Sequence, residues 1–287
     1  MKKAMYTSSG AAIFTDTQVG ALRTAVAGFS LLPLALRSIR KIKTFRLFIL
    51  LALVGLTGNF LPAFLFTYAE TGISSGYAGM MNSFTPIFAI IIGVIIFKDR
   101  LNRNQLLGIG IGSIGVITLM VAGQDLSMSG DWSHLVALVI ATLCYGTSIN
   151  IIKHTLSGLK SYEIASLSFM IVLLPSAIIA LQQGSITIFE TNPNAWQGFT
   201  AIVILSVIGT AFALILFNKL VANVSIVFAS SVTYLIPIIA VVIGLSFGES
   251  INSYQVGAMF LVIGGVFVAN RSRKTKSILS NDEGDHK

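Results

Sequence analysis

Charge is what this sequence has least of. Only 10% of its 287 residues are Asp, Glu, Lys or Arg, against 54% apolar residues, whereas soluble domains carry about 25% charged residues. Water is therefore not its main solvent. A single cysteine, Cys144, excludes an internal disulfide framework. Three scattered histidines, His134, His154 and His286, give no metal-ligand spacing. No metal or cofactor is expected. The Asp and Glu residues stand singly in loops, without the clustered acids, bases or metal ligands a membrane enzyme needs, so no catalytic residue is assigned and the chain reads as a non-enzyme. The absence of a G-x-x-x-x-G-K-[ST] loop argues against ATP-driven work within it. Gly110-Ile-Gly112-Ser-Ile-Gly115 fits G-x-G-x-x-G, but it lies inside an uncharged stretch with no preceding strand. Gly108 and Gly112, matched by Gly257 and Gly265, read instead as small-residue faces for close helix packing.

What the sequence has is long oily runs. Eight stretches contain no charge at all: 47–68, 73–97, 104–123, 135–152, 164–181, 196–218, 226–247 and 254–270; a ninth, 19–36, carries Arg23. A bilayer core about 30 Å thick takes about 20 helical residues. Only helices and closed barrels satisfy their backbone in lipid, and these runs do not alternate as barrel strands do. Nine membrane helices are expected.

The net charge of +8 is explained by where the charges fall. Arg37, Arg40, Lys41, Lys43 and Arg46, then Lys98, Arg100 and Arg103, then Lys153 and Lys160, then Lys219, then Arg271, Arg273, Lys274, Lys276 and Lys287 occupy alternate loops, and the intervening loops hold only acidic residues. The positive-inside rule puts the basic loops and the C-terminus in the cytoplasm of a multi-pass protein of the cell (inner) membrane. A nucleic-acid partner is not implied. Trp132 and Trp196 fall where spans meet the opposite face, and Glu70, at the outer end of its span, reads as a solvated loop charge. Asn192-Pro193, Asp131 and Ser161 stand where helix caps belong.

The chain also repeats itself. Residues 74–93 match 225–244 at a spacing of 151, with Ala78/Ala229, Pro86/Pro237, Ala89/Ala240 and Gly93/Gly244 identical. The match continues at 150 through Asn102/Asn252, Gln105/Gln255 and Gly115/Gly265. Proline, glycine and turn residues coincide, which chance pairing of oily segments does not produce. The second half holds five spans and the first only four, and Lys3 aligns with Lys153 at the end of the second half's first span. A ten-helix parent with two inverted five-helix copies is expected, with nine complete spans here and the chain starting late. The domains on this reading are 1–123, an extracytoplasmic linker 124–134, a second copy 135–270, and a polar cytoplasmic tail 271–287.

Residues 75–120, SGYAGMMNSFTPIFAIIIGVIIFKDRLNRNQLLGIGIGSIGVITLM, and their partner 228–270, FASSVTYLIPIIAVVIGLSFGESINSYQVGAMFLVIGGVFVAN, resemble the EamA domain of the drug/metabolite transporter superfamily. Alanine, proline, glycine, an acidic residue after the span (Asp99, Glu249), then glutamine and glycines carry the pattern. TQVGALRTAVAGFSLLPLALR, including Arg23, resembles that family's second span. The resemblance implies an all-α membrane protein of two inverted repeats around a central cavity, exporting small metabolites such as amino acids as a monomer or homodimer. A truncated, non-transporting fragment and a membrane enzyme are the alternatives.

Candidate residues follow from the cost of polarity in lipid. A charge at the bilayer centre costs about 2.5 to 3.5 kcal/mol, so Arg23 is expected to face the interior and attract anionic groups. Thr142, Gly146, Asn150 and Lys153 fall on one helix face at three- and four-residue spacing. Asn59, Asn82, Thr85, Thr233 and Tyr234 are buried polar groups needing partners. Pro86 and Pro237 free the carbonyls of Asn82 and Thr233 at the depth where repeat-built transporters bind. Reporter domains fused at Lys43 and at Ser280 are expected on the same, cytoplasmic side; opposite sides in an alkaline phosphatase and fluorescent-protein assay would overturn the span count.

Overall fold

The computed structural model describes residues 2–6, 11–73, 78–79, 81–122, 132–236, 238–239 and 253–270. Pro237, Asp131, Asn252, Glu249, the centre of the linker and the tail therefore lie outside the described residues. Apart from one isolated pairing of Tyr6 with Ala12, the described residues contain no β-structure.

Among the described residues, a helix lies within each stretch where a span is expected. In chain order they are α1 (Asp16–Ser38), α2 (Phe45–Gly72), α3 (Asn82–Phe97), α4 (Arg103–Ala122), α5 (Trp132–Thr155), α6 (Ser161–Gln182), α7 (Ala195–Asn223), α8 (Ile226–Ser231, continued by a tight turn Val232–Tyr234) and α9 (Ser253–Asn270). Five of these segments, α1, α2, α5, α6 and α7, are long and apolar enough to cross a membrane. The outward faces of the helices carry large apolar side chains such as Phe29, Ile95, Leu174, Phe212 and Phe260, which is stable only against lipid. Trp132 and Trp196 are 80% and 68% exposed at the starts of α5 and α7, as an interfacial belt requires.

Repeat-related helices pack against each other, antiparallel, in three pairs. Between α1 and α6, Gln18 Nε2 donates to the Gln183 carbonyl (2.7 Å) at one end. Thr24 Oγ1 donates to Ser176 Oγ (2.8 Å) in the middle. Lys41 Nζ lies 4.0 Å from Glu163 Oε1 at the other end. Between α3 and α8, Gly79 meets Ile236 while Ser83 Oγ donates to the Thr233 carbonyl (3.2 Å). Between α4 and α9, Gly112 and Gly265 approach so closely that a Cβ on Gly265 would lie 2.5 Å from the Gly112 nitrogen. At the other end of that pair, Gly115 faces Ala258 and Val262.

The copies also share a defect. α2 and α7 each open into a π-helical segment, Leu56–Phe60 and Val207–Phe212, whose first residues are 151 apart. In α2 the cause is Pro62, which has no N–H for the Gly58 carbonyl, and the Leu61 N–H reaches back five residues to the Leu56 carbonyl. In α7 the Thr210 hydroxyl takes up the Leu205 carbonyl (3.0 Å), again five residues back.

Local expectations need four corrections. Gly257 has nothing within 4 Å of a built Cβ, so it faces open space and the packing face of α9 rests on Gly265. Asn192 does not cap α7; its Oδ1 accepts from the Asn194 N–H in a local turn, and the helix begins at Ala195. Ser161 is the first residue of α6 rather than its cap, and Glu163 reaches back to the Lys160 N–H instead (2.8 Å). Glu70 is buried inside the last turns of α2, not solvated in a loop.

Replacing Gly265 by alanine is expected to cost about 1 to 3 kcal/mol, because backbone rather than a side-chain tip stands in the way. Gly257→Ala should leave stability unchanged. Thermal unfolding of the two variants in detergent is the check.

Candidate functional site

The stripe on α5 is spent on α3. Gly146 lies against the Phe88 and Ala89 backbone, and the Asn150 amide donates to the carbonyls of Ala89 (2.7 Å) and Gly146 (2.8 Å). One turn on, the His154 ring stacks on Phe97 (4.4 Å between centroids), and its Nε2 lies 3.2 Å from Asp99 Oδ2. Thr142 bonds within its own helix. Lys153 leaves this face: its Nζ donates to the Ala222 carbonyl (3.2 Å), where a cation suits the C-terminal end of α7. The outer end of α5 is held in the same manner, with His134 stacked on Tyr68 (4.8 Å) and the Tyr68 hydroxyl donating to Ser133 Oγ (3.0 Å).

The residues around the prolines are likewise engaged. The carbonyl of Asn82 that Pro86 leaves free accepts from Thr85 Oγ1 (2.7 Å), and Pro86 itself is buried. Thr233 donates to the Ser230 carbonyl (2.8 Å) while its own carbonyl accepts from Ser83. Tyr234 is 1% exposed, with its ring on Gly112 and its hydroxyl 3.1 Å from Ser113 Oγ.

A different group of polar residues converges at depth. Arg23 stands eight places into α1, counting Asp16 as the first, and its Nε donates to Thr210 Oγ1 (3.1 Å) in the π segment of α7. A guanidinium reaching down the bundle in this way replaces lost water with a fixed acceptor. Tyr145 of α5 lies within electrostatic reach of Arg23; it is enclosed by protein, packs on Phe66 (6.0 Å) and keeps part of its surface accessible.

Gly20 of α1 lies against Phe64 of α2, one turn beyond the π segment that holds Asn59, and Phe60 packs against a cluster that contains Ala27 and Leu31 of α1. Gly58 makes room for the Ser148 hydroxyl of α5. Asn59 itself is buried in that segment. Its Nδ2 is buried without a partner, as are both amide atoms of Asn218.

Of the ten expected residues, Arg23 reaches Thr210 of α7, and Asn59 is buried in the π segment of α2. Asn82, Thr85, Pro86, Thr233 and Tyr234 gather where α3, α8 and α4 cross; Asn150 and Lys153 sit toward the C-terminal end of α5; and Pro237 lies outside the described residues. Sequence reasoning missed Thr210 and Tyr145. Thr210 could have been found from the repeat, since it stands 151 residues after Asn59. Among the described residues no cluster of His, Cys, Asp and Glu could hold a metal ion.

A helical bundle with lipid-facing sides, antiparallel repeat pairs and one deep arginine belongs to the class of membrane transporters. The chain matches the EamA-like transporter family over residues 5–121 and again over 132–271, and it belongs to that family. Among curated relatives, it is 24% identical over 226 residues to a probable terminal-alkyne amino-acid exporter of Streptantibioticus cattleyicolor, covering 77% of this chain and 73% of that protein. It is 26% identical over 246 residues to the inner membrane transporter YedA of Escherichia coli K12 (84% and 77% covered). It is 25% identical over 221 residues to a probable amino-acid metabolite efflux pump of Salmonella typhimurium (72% and 71%). A crystal structure superposes with a TM-score of 0.67 at 14% identity over 90% of this chain and 88% of that one, a likeness of fold.

Asn150→Leu is expected to cost about 1 to 2 kcal/mol, because the bond it makes to α3 has no substitute in lipid. Thermal melts should show the loss, while substrate preference in a transport assay stays as in the unmodified protein.

Proposed function

We propose that this chain is a secondary transporter that exports small metabolites of the amino-acid kind through the interior of its bundle, by alternating access between two inverted copies. The copies occupy 1–123 and 135–270, nine complete spans cross the inner membrane, and the C-terminus lies in the cytoplasm. The relatives named as amino-acid exporters support the substrate class. The antiparallel pairing of α1 with α6, α3 with α8 and α4 with α9 supports the inverted architecture.

The observation that carries this reading is the Arg23 to Thr210 hydrogen bond. It joins the two halves at a π segment, a helical break that leaves a carbonyl free for a partner. Arg23 offers a carboxylate two parallel donors, and the Thr210 hydroxyl is a neutral contact that a carboxylate can displace. Rocking of one copy against the other then carries the bound anion from one face to the other.

Arg23→Gln is expected to lower export of carboxylate-bearing substrates about tenfold or more, since charge-assisted bonds contribute about 1.5 to 3 kcal/mol. Arg23→Lys should restore only part of the rate, because lysine lacks the planar fork. The measurement is efflux of a panel of labelled amino acids from cells expressing each variant at equal membrane abundance. Wild-type efflux by Arg23→Gln for every substrate would remove the residue from the pathway.

A further inference from the structure

The turn from α1 to α2 gathers charge of one sign. From Thr17 to Ala69 the sequence holds no Asp or Glu, yet Arg37, Arg40, Lys41, Lys43 and Arg46 all fall in that stretch, at the join of the two helices. All five side chains are exposed. Lys41 has Glu163 of α6 at 4.0 Å, whereas Arg37, Arg40, Lys43 and Arg46 take part in no ion pair or hydrogen bond among the described residues. The turn itself is well held: the Ile42 N–H donates to the Ile39 carbonyl (3.0 Å), closing a 3₁₀ turn over Ile39–Lys41, and Thr44 Oγ1 caps α2 by accepting from the Leu47 N–H (3.2 Å). Arg37 and Arg40, three residues apart through the end of α1, share a face on which like charges repel. Arg46 adds a cation to the first turn of α2, the positive end of that helix, where no acidic residue stands. Cations kept together in this way call for an anion.

The same stretch also exposes oil. Leu36, Ile39, Phe48 and Ile49 are exposed, and Phe45, 76% exposed, stacks on Phe48 with 6.3 Å between ring centroids. The segments joined here, Asp16–Lys41 and Phe45–Gly72, are both long and apolar enough to cross a membrane, which sets the turn at the level of the lipid headgroups. A soluble anion answers the cations and leaves the aromatic rings in water. A zwitterionic lipid covers the rings but brings a cation of its own. We infer that the turn between α1 and α2, residues 36–49, binds an anionic phospholipid: Arg37 and Arg40 take its phosphate, Lys43 and Arg46 add to the attraction, and Phe45 and Phe48 lie along its acyl chains. Loop 98–103 is less one-sided, since Asp99 stands among Lys98, Arg100 and Arg103. The inference holds whatever molecule the chain carries and whichever side of the membrane the turn faces.

The test melts the full chain in a neutral detergent titrated with phosphatidylglycerol, or with phosphatidylcholine of the same acyl chains, while native mass spectrometry counts the lipid retained. Phosphatidylglycerol at saturation should raise the melting temperature by about 5 °C or more, and phosphatidylcholine by far less. The pair Arg37→Gln and Arg40→Gln should lose most of that shift and of the retained lipid, yet melt like the unmodified protein without lipid, because neither side chain has a partner to lose. Arg37→Lys with Arg40→Lys keeps the charge and should keep about half of the shift. Arg100→Gln with Arg103→Gln removes the same charge from loop 98–103 and should leave the shift whole. An equal loss in the two glutamine pairs would reduce the effect to net charge and overturn the site. Equal shifts from the two lipids would overturn it as well, and so would glycerol phosphate in solution reproducing the phosphatidylglycerol shift, since the occupant would then be a soluble anion. If the first glutamine pair melts early even without lipid, the retained lipid decides: phosphatidylglycerol held at the unmodified level sinks the assignment, and its loss upholds it.

Discussion

In hydrocarbon, a polar group that finds no partner inside the protein has none at all. This constraint orders the whole bundle. The α5 to α3 contact turns on the Asn150 amide reaching the Ala89 carbonyl, and the α1 to α6 contact on Thr24 and Ser176 bonding to each other at zero exposure or nearly so. Hydroxyls of Thr67, Ser206 and Ser230 fold back onto carbonyls four residues earlier in their own helices. Where polarity is not needed, glycine takes over: α4 and α9 touch backbone to backbone through Gly112 and Gly265, a contact that gains dispersion because no hydrophobic drive separates side chain from lipid.

The same constraint makes the exceptions informative. A π segment in lipid is tolerated only if something answers the freed carbonyl, and at Thr210 the side chain does so at 3.0 Å before accepting from Arg23. Arg23 thus joins the π segment of one copy to a helix of the other. Among the described residues Asn59, Asn150, Ser185 and Asn218 each keep a buried side-chain polar atom unanswered, at a cost of about 1 to 3 kcal/mol for each such group. A protein that changes shape meets that cost in one state and recovers it in another, or on binding.

Much of the fold was legible because lipid leaves so few choices. Runs without charge located the helices, and the spacing of 151 fixed which helices are equivalents, a relation the antiparallel pairs bear out. What could not be read was the direction of each side chain. Asn82, Thr85 and Tyr234 look like cavity residues by type, yet Asn82 and Thr85 are taken up by each other within α3 and Tyr234 by Ser113 of α4. Glu70 looked peripheral by position and is buried, since α2 runs on past the last apolar residue. The π segments carry no motif: α2 has Pro62 to mark its break, but α7 has only Gly209 and Thr210, and the shift in register there moves every following residue by a fraction of a turn.

Two inverted copies of one backbone offer equivalent states facing opposite sides, and that symmetry costs little to traverse. The molecule carried has no such symmetry, so the site has to lose it. It does so here at matched positions: arginine in α1 against serine in α6, asparagine in the first π segment against threonine in the second. The two backbones are alike while these side chains are not, so a difference in what each half can hold resides in the side chains. Substitutions in the packing pairs should therefore change how fast the protein cycles, and substitutions at these four positions should change which molecule it cycles with.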